Sequence, residues 1–193
     1  MLLDFNTLEK DFGMNMEGVI HIGAHHGQEV KSYLEKGVEN ILLFEPQPEC
    51  FNILLDKFCD EESVLIENLA LGSDNKKLKM FTETANMGQS SSLLRPCMHI
   101  EQYPHIVFNG EVEVDVVRLD DYFDSNGIDS SLYNTINIDV QGYELEVFRG
   151  AKSTLENIDY IITEINRAEV YEGCAKSEEL DDVLGSLGFV RRI

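Results

Sequence analysis

The sequence predicts an α/β fold: one mostly parallel sheet with helices on both faces. Short aliphatic and β-branched runs alternate with stretches of helical spacing from the N-terminus onward. Residues 41–44 are continuously apolar, and 135–140 form a second strand of the type that parallel sheets bury on both faces. The chain has 193 residues and is 43% hydrophobic, so we expect residues 1–193 to form a single domain around one sizeable core.

The individual elements follow from hydrophobic periodicity and from turn residues. After an N-terminal lead-in, residues 1–17, the predicted elements of the first half are strand 18–22, helix 28–35, strand 41–44, helix 49–58 and strand 64–71. Two later segments alternate apolar and polar residues, which predicts an extra strand pair with one solvated face, at 78–82 and 112–117. The polar segment 84–109 lies largely between these two strands, and we expect it to be an insertion over the site. The second half continues with strand 135–140, helix 143–149, strand 158–165 and helix 177–187.

The charge of the chain argues against one class of partner. Fifteen Lys and Arg residues oppose 36 Asp and Glu residues, for a formal charge of −21 at pH 7. Phosphate neutralisation by Lys and Arg dominates nucleic-acid affinity, and no basic run here is longer than Arg191-Arg192. We therefore expect no nucleic-acid partner. No apolar run approaches the ~20 residues that span a bilayer, and the four cysteines form no C-x-x-C pair, so we expect a cytoplasmic protein without a membrane partner. The sequence carries no signal for the oligomeric state.

Two segments place special residues where the first two predicted strands end, the edge at which open α/β sheets bind ligands. Gly23 permits a tight turn after the first strand, and Gly27 lets the next helix begin close to a ligand. After the second strand comes Glu45-Pro46, where a carboxylate can accept both hydroxyls of a ribose. The loop lacks the middle glycine of G-x-G-x-x-G, which favours a nucleoside ligand without a pyrophosphate, and S-adenosylmethionine is the common one. The alternative is a glycine turn that binds nothing.

Acidic residues also lie at the ends of later predicted strands. Asp139 and Gln141 fall at the end of one strand, and Glu164 falls at the comparable edge of the next. An acid amid apolar strand residues is costly unless it lies at the sheet edge with a function, so Asp139 is the leading catalytic candidate and Glu164 the second. Glu144 is equally well explained as a partner of its helix dipole.

Together these segments resemble the FkbM-type methyltransferases, a class I family that depends on S-adenosylmethionine. The resemblance covers residues 18–189 and rests on the segments I-H-I-G-A-H-H-G, L-F-E-P, N-L-A-L-G, S-S-S-L-L, I-D-V-Q-G-Y-E and T-E-I-N, in that order. It implies a Rossmann-like class I methyltransferase sheet.

The resemblance also implies how the cofactor would be held. The loop that begins at Gly23 would pass under the methionine part, Glu45 would hold the ribose, and Ala70-Leu71 would lie along the adenine. Residues 90–92 are serines that could order the cofactor carboxylate or the acceptor, and the alternative is a solvated loop. The expected cofactor residues are His21, Gly23, Ala24, His25, Gly27, Glu45, Pro46, Ala70, Leu71, Ser91 and Gln141.

Two features depart from the family pattern. The family commonly carries Asp at the position of His21, where an acid usually helps to hold the loop or the cofactor ammonium group, and this contact is therefore in doubt. A class I methyltransferase sheet normally finishes with an antiparallel hairpin, and residues 190–193 fit at most its first strand. Either the chain is truncated or the final strand is absent, which would leave one sheet edge unpaired.

The resemblance implies methyl transfer to a hydroxyl of a sugar or another small polar metabolite, with Asp139 as the base and Glu164 as the second candidate. Two other classes stay open: a non-catalytic S-adenosylmethionine-binding or scaffolding module, and a nicotinamide-dependent oxidoreductase, against which the missing glycine counts. We expect no bound metal, because His25 and His26 are neighbours in a tight turn and such side chains are expected to point apart.

Overall fold

The centre of the molecule is a five-stranded sheet in which every strand pair is parallel. The computed structural model describes residues 4–192. Its helices and strands are, in chain order, α1 (Phe5–Phe12), β1 (Gly18–Ile22), α2 (Val30–Glu35), β2 (Asn40–Phe44), α3 (Pro48–Phe58), β3 (Val64–Glu67), β4 (Ala70–Leu71), β5 (Lys76–Glu83), α4 (Met98–Gln102), β6 (Phe108–Val117), α5 (Leu119–Asn126), β7 (Thr135–Ile138), α6 (Glu144–Arg149), β8 (Tyr160–Thr163) and α7 (Ser177–Ser186). Short 3₁₀ turns precede β7 and β8, at Ser130–Leu132 and Thr154–Asn157.

Helices cover both faces of the sheet, as the sequence predicts. Side chains of successive strand residues point to opposite faces, so β1 contributes Val19 to one core and Ile20 to the other. The first core contains Leu54 of α3 and residues of α1 and α2, and the second contains Phe123 of α5, Phe148 of α6 and part of α7. All five residues of β1 are buried, which explains why the central strands are almost continuously apolar.

The strand order, β3-β2-β1-β7-β8, reverses direction between β1 and β7. Backbone hydrogen bonds continue past the ends of β1, β2 and β7. Asp139 N donates to Ile22 O at 3.0 Å, and Gly23 N donates to Phe44 O at 2.9 Å. Open α/β sheets bind ligands outside the carboxyl ends of their strands at such a reversal. The fold therefore places the candidate site above the ends of β1, β2 and β7.

The predicted strand 64–71 is wrong as a single element, because the chain divides it between two sheets. β3 pairs with β2, whereas β4 belongs to a second sheet of order β4-β6-β5. Asn68 lies between them, and its side-chain amide donates to the carbonyl oxygens of Glu45 at 2.8 Å and Pro46 at 3.1 Å. These hydrogen bonds hold Asn68 against the loop after β2, at the point where the chain leaves the parallel sheet. The expected antiparallel pair is present as β5 and β6.

Three helices lie where the sequence pattern predicted none, namely α1, α4 and α5. For α1 the signals are present: the Asp4 side chain accepts from Asn6 N at the first turn, and Gly13 ends the helix at φ +68°. At the other end of the chain, the described residues after α7 contain no strand. No helix within residues 4–192 is long and apolar enough to cross a membrane.

Candidate functional site

A cleft of about 1320 Å³ opens at the carboxyl ends of the parallel strands and continues along β8. Its lining includes all but one of the expected cofactor residues, and both acidic candidates: His21, Gly23, Ala24, His25, Glu45, Pro46, Ala70, Leu71, Ser91, Asp139, Gln141 and Glu164. The tertiary structure thus brings together residues from six separate sequence segments.

Gly23 is required by the close approach of two strand ends. Its φ is +81°, and a Cβ atom built there would lie 2.1 Å from the carbonyl oxygen of Asp139. The next backbone amide, of Ala24, also donates to Phe44 O, at 3.0 Å. The start of the loop is therefore attached to β2 on one side and presses on the end of β7 on the other.

Gly27 packs against α3. A Cβ atom at this position would lie 2.6 Å from the Phe58 ring and 2.8 Å from a methyl group of Leu54, both on α3. Gly27 does not line the cleft, and α2 begins only at Val30. This glycine therefore lets the loop pack closely on α3.

Glu45 is the most constrained acid at the end of β2, with a side chain that is only 2% exposed. One carboxylate oxygen accepts from His25 N at 2.8 Å, and the other accepts from Gln47 N at 2.8 Å. Burial raises the pKa of Glu45 to about 7 although these hydrogen bonds favour the charged form. Each oxygen retains acceptor capacity, so the carboxylate can join the two loops and still receive hydroxyl groups from a ligand.

His21 lies at the floor of the cleft within a buried hydrogen-bond network. Asn137 Nδ2 donates to the Tyr33 hydroxyl at 2.6 Å, and that hydroxyl lies 3.3 Å from His21 Nδ1, to which it can donate. Burial lowers the pKa of His21 to about 4, so the imidazole is neutral at physiological pH. It cannot supply the negative charge that an aspartate would.

The two acidic candidates meet through Gln141. Its Nε2 donates to Asp139 Oδ1 at 2.6 Å and to Glu164 Oε2 at 3.3 Å. Burial and the neighbouring Asp139 carboxylate raise the pKa of Glu164. Gln141 has φ +53°, an uncommon conformation for a non-glycine residue that occurs preferentially at functional sites. The site therefore holds a carboxyl pair bridged by one amide.

Tyr171 is a site residue that the sequence analysis missed. The Tyr171 side chain is buried, and its hydroxyl lies 2.8 Å from Gln141 Oε1 and 2.9 Å from Ser90 O. On the other side, Ser92 Oγ donates to Gln141 O at 2.8 Å. These contacts orient the Gln141 amide so that its nitrogen faces the two carboxyl groups. No local sequence pattern marks Tyr171, which lies 30 residues from its partner.

The polar segment that follows β5 lies over the glycine loop and the turn after β2. Met87 O accepts from His25 Nε2 at 2.8 Å, and Gly88 O accepts from Gln47 Nε2 at 3.2 Å. The buried Glu83 side chain accepts from the backbone amides of Asn86 and Ser90, which fixes the turn. The serines at 90–92 are all buried, so the alternative of a solvated loop is wrong for this part of the segment.

The two adjacent histidines do not point apart. The rings of His25 and His26 are stacked, with centroids 3.8 Å apart. His25 has φ +48°, a left-handed conformation that turns its side chain back over the loop. The geometric reason for expecting no metal ligands here is therefore wrong.

Comparison with known proteins gives the family. The family model described as the methyltransferase FkbM domain matches residues 21–191. The chain is also similar to the 2-O-methyltransferase NoeI of Sinorhizobium fredii (strain NBRC 101917 / NGR234), with 26% identity over 178 residues, which cover 89% of this chain and 72% of that protein. No solved structure gives a significant match. The family match includes the glycine loop, the Glu45 turn and the carboxyl pair, and the chain therefore belongs to the FkbM methyltransferase family.

Proposed function

We propose that this protein is an S-adenosylmethionine-dependent methyltransferase that methylates a hydroxyl group of a sugar or another small polar metabolite. The observation that carries the proposal is the position of Asp139 and Glu164, joined by Gln141 in the same cleft as the glycine loop and Glu45. A hydroxyl acceptor needs a base, and a carboxyl pair provides one. The similarity to a protein named as a 2-O-methyltransferase supports the same acceptor chemistry.

The cleft fits a nucleoside cofactor together with an acceptor. Its volume of about 1320 Å³ exceeds the ~300–1,000 Å³ of usual ligand pockets. Glu45 would accept the ribose hydroxyls, Ala70 and Leu71 offer buried apolar surface for the adenine, and the loop at Gly23 would contact the methionine part. When bound, S-adenosylmethionine supplies the methyl group from its sulfonium centre.

The residues of the chain have two tasks in this reaction. They hold the acceptor oxygen in line with the methyl group at about 3–3.5 Å, and they remove the hydroxyl proton. Burial and the neighbouring Asp139 carboxylate raise the pKa of Glu164, and Gln141 Nε2 lies closer to Asp139, at 2.6 Å, than to Glu164, at 3.3 Å, so we assign Asp139 as the base and Glu164 as the second candidate. Asp139 would take the proton of the acceptor hydroxyl as that oxygen accepts the methyl group that bound S-adenosylmethionine would supply.

Calorimetric titration tests the cofactor assignment. We expect heat of binding with S-adenosylmethionine and S-adenosylhomocysteine and none with NAD. Absence of heat with both S-adenosyl compounds would overturn the proposal. Binding of NAD alone would instead identify a nicotinamide-dependent oxidoreductase.

The substitution Asp139→Asn tests the base. Because it keeps the hydrogen-bonding shape but loses the proton acceptor, we expect methyl transfer to fall by ~10²–10⁴-fold, with cofactor affinity within about twofold of the wild type. Transfer of radiolabelled methyl groups to a panel of neutral mono- and oligosaccharides is the measurement. Wild-type turnover in Asp139→Asn would contradict the base assignment. Cofactor binding without transfer to any acceptor of the panel would favour the scaffolding alternative.

A further inference from the structure

A cluster of three potential metal ligands lies where the glycine loop meets α3. One ring nitrogen of His25, one of His26 and the Sγ atom of Cys50 all lie within 4.8 Å of one another. The histidines belong to the loop, and Cys50 belongs to the first turn of α3, where it is buried. Two imidazoles and one thiolate are donors that Zn²⁺ prefers, and three protein ligands leave a fourth position for water. We propose that this cluster is a Zn²⁺ site.

The conformation of the loop is what makes the ligands converge. His25 is held at φ +48°, and this turn stacks its ring on that of His26. Two hydrogen bonds hold the histidine pair in place. His25 N donates to the Glu45 carboxylate, and Lys57 Nζ donates to His26 O at 2.7 Å. The ligands are therefore presented by a loop that is already fixed, which lowers the cost of ordering them around an ion.

The second hydrogen bond of His25 matches the usual environment of a metal ligand. Its Nε2 lies 2.8 Å from Met87 O, and because a carbonyl oxygen only accepts, Nε2 carries the proton and Nδ1 carries the lone pair. Metal-bound histidines commonly donate their other ring N–H to a backbone carbonyl in this way. Gln28 Nε2 lies 3.0 Å from His25 Nδ1, and since Gln28 is exposed, its amide can turn away when an ion takes that nitrogen.

The charges around the cluster favour a cation. Burial and then the carboxyl groups of Glu45 and Glu49 raise the pKa of the Cys50 thiol, and a bound cation would offset both effects, whereas Lys57 near His26 is the opposing positive charge. On binding, the thiol releases its proton to solvent and the thiolate takes its place on the ion, without any change of oxidation state. The bound ion would join the glycine loop to α3 and, through His25, to the polar segment at Met87. The site would thus stiffen the cofactor side of the cleft.

Titration with Co²⁺ tests this site without reference to methyl transfer. Cobalt bound to a thiolate in a tetrahedral site gives a thiolate-to-metal charge-transfer band, which Zn²⁺ removes when it displaces the cobalt. We expect this band at one equivalent of Co²⁺ in the reduced protein, and its loss in Cys50→Ser. Cys59→Ser is the matched control, because Cys59 follows the same helix and is exposed, and it should keep the band.

A second variant separates loss of a ligand from loss of the fold. His26 is partly exposed, so His26→Gln should leave the thermal transition within a few degrees of the wild type and weaken Co²⁺ binding by about tenfold or more. The proposal is overturned if the wild type shows no charge-transfer band, if Cys50→Ser keeps it, or if folded His26→Gln binds Co²⁺ as tightly as the wild type. The result does not depend on whether the protein binds S-adenosylmethionine.

Discussion

At the scale of single residues, burial gives Glu144 a role that its position in the sequence motif does not reveal. The sequence left this acid as either a functional residue or a helix-dipole partner. In the structure it is 1% exposed, and one oxygen accepts from Gly142 N at 3.1 Å and from Val140 N at 3.3 Å. Its other oxygen has no hydrogen-bond partner within residues 4–192, and burial raises its pKa to about 7. Glu144 therefore stabilises the turn that positions Gln141, although ionising its buried carboxyl group costs free energy.

The substitution Glu144→Gln should flatten the pH dependence of stability. Between pH 4.5 and pH 7 the unfolded chain has released this proton while the folded chain retains it, so the free energy of unfolding falls as pH rises. The raised pKa of Glu144 corresponds to a loss of folding stability on the order of 3 kcal/mol above pH 7. Glutamine does not titrate, so the variant should lose less stability between pH 5 and pH 8.

Urea denaturation at pH 5, 6, 7 and 8 measures this difference. Glu156→Gln is the control, because Glu156 is exposed and its substitution should leave the wild-type profile unchanged. Parallel stability curves for Glu144→Gln and the wild type would show that Glu144 does not titrate as its burial indicates.

At the scale of elements, residues 84–92 after β5 form a segment that we call the strap, which crosses the cleft over the glycine loop and the turn after β2. It is attached to the glycine loop at His25, to the turn after β2 at Gln47 and to the turn after β7 at Gln141. Each attachment is a hydrogen bond between segments that are far apart in the chain. A local change in the strap should therefore alter cofactor binding without touching the cofactor residues themselves.

The substitution Gly88→Ala should weaken that strap. Gly88 has φ +83°, and an added Cβ atom would lie 2.6 Å from Gln47 Oε1, so the side chain that donates to Gly88 O must move. Loss of this hydrogen bond should weaken S-adenosylhomocysteine binding by roughly fivefold, about 1 kcal/mol. Gly37→Ala is the matched control, since Gly37 has φ +75° and nothing within 4 Å of the added atom.

Both alanine variants should lose a similar stability, about 1 kcal/mol, from left-handed backbone strain. Calorimetric titration then isolates the contribution of the strap, because only Gly88→Ala should change the dissociation constant. Equal affinities in the two variants would mean that the strap does not support the cofactor side of the cleft.

At the scale of the whole molecule, the charge of −21 should act on cofactor exchange. S-adenosylmethionine carries one net positive charge at neutral pH, whereas S-adenosylhomocysteine is neutral overall. Under the proposed function, the field of the protein therefore attracts S-adenosylmethionine and not S-adenosylhomocysteine. As ionic strength rises from about 0.01 M to about 0.1 M, the Debye length falls from about 30 Å to about 10 Å and screens this attraction.

We expect the dissociation constant of S-adenosylmethionine to rise roughly threefold over this range, and that of S-adenosylhomocysteine to change much less. Calorimetric titration of both compounds at matched pH makes the comparison. An equal salt response of the two would show that the surface acids do not act on the cleft. The same field disfavours anionic acceptors.

Prediction from sequence worked best where a residue type is tied to a backbone position. Gly23 was assigned to a tight turn, Glu45 to a strand end and Asp139 to a sheet edge, and all three lie at the cleft. It failed at the predicted strand 64–71, which the structure divides between two sheets at Asn68, where long-range hydrogen bonds to Glu45 O and Pro46 O hold the chain. Gly27 lies in the expected turn, where an added Cβ atom would meet Phe58 and Leu54 of α3, a packing contact that no local sequence signal predicts.

The sequence by itself determined the parallel α/β class and the position of the glycine loop after β1, because hydrophobic periodicity and glycine placement are local signals. Only the tertiary structure decided which distant side chains act on those positions. Tyr171 meets Gln141, and Cys50 meets the two loop histidines, through packing across elements that no spacing in the chain encodes. The charge state of Glu144 likewise depends on its surroundings in three dimensions, since burial sets the cost of an ionised carboxyl group.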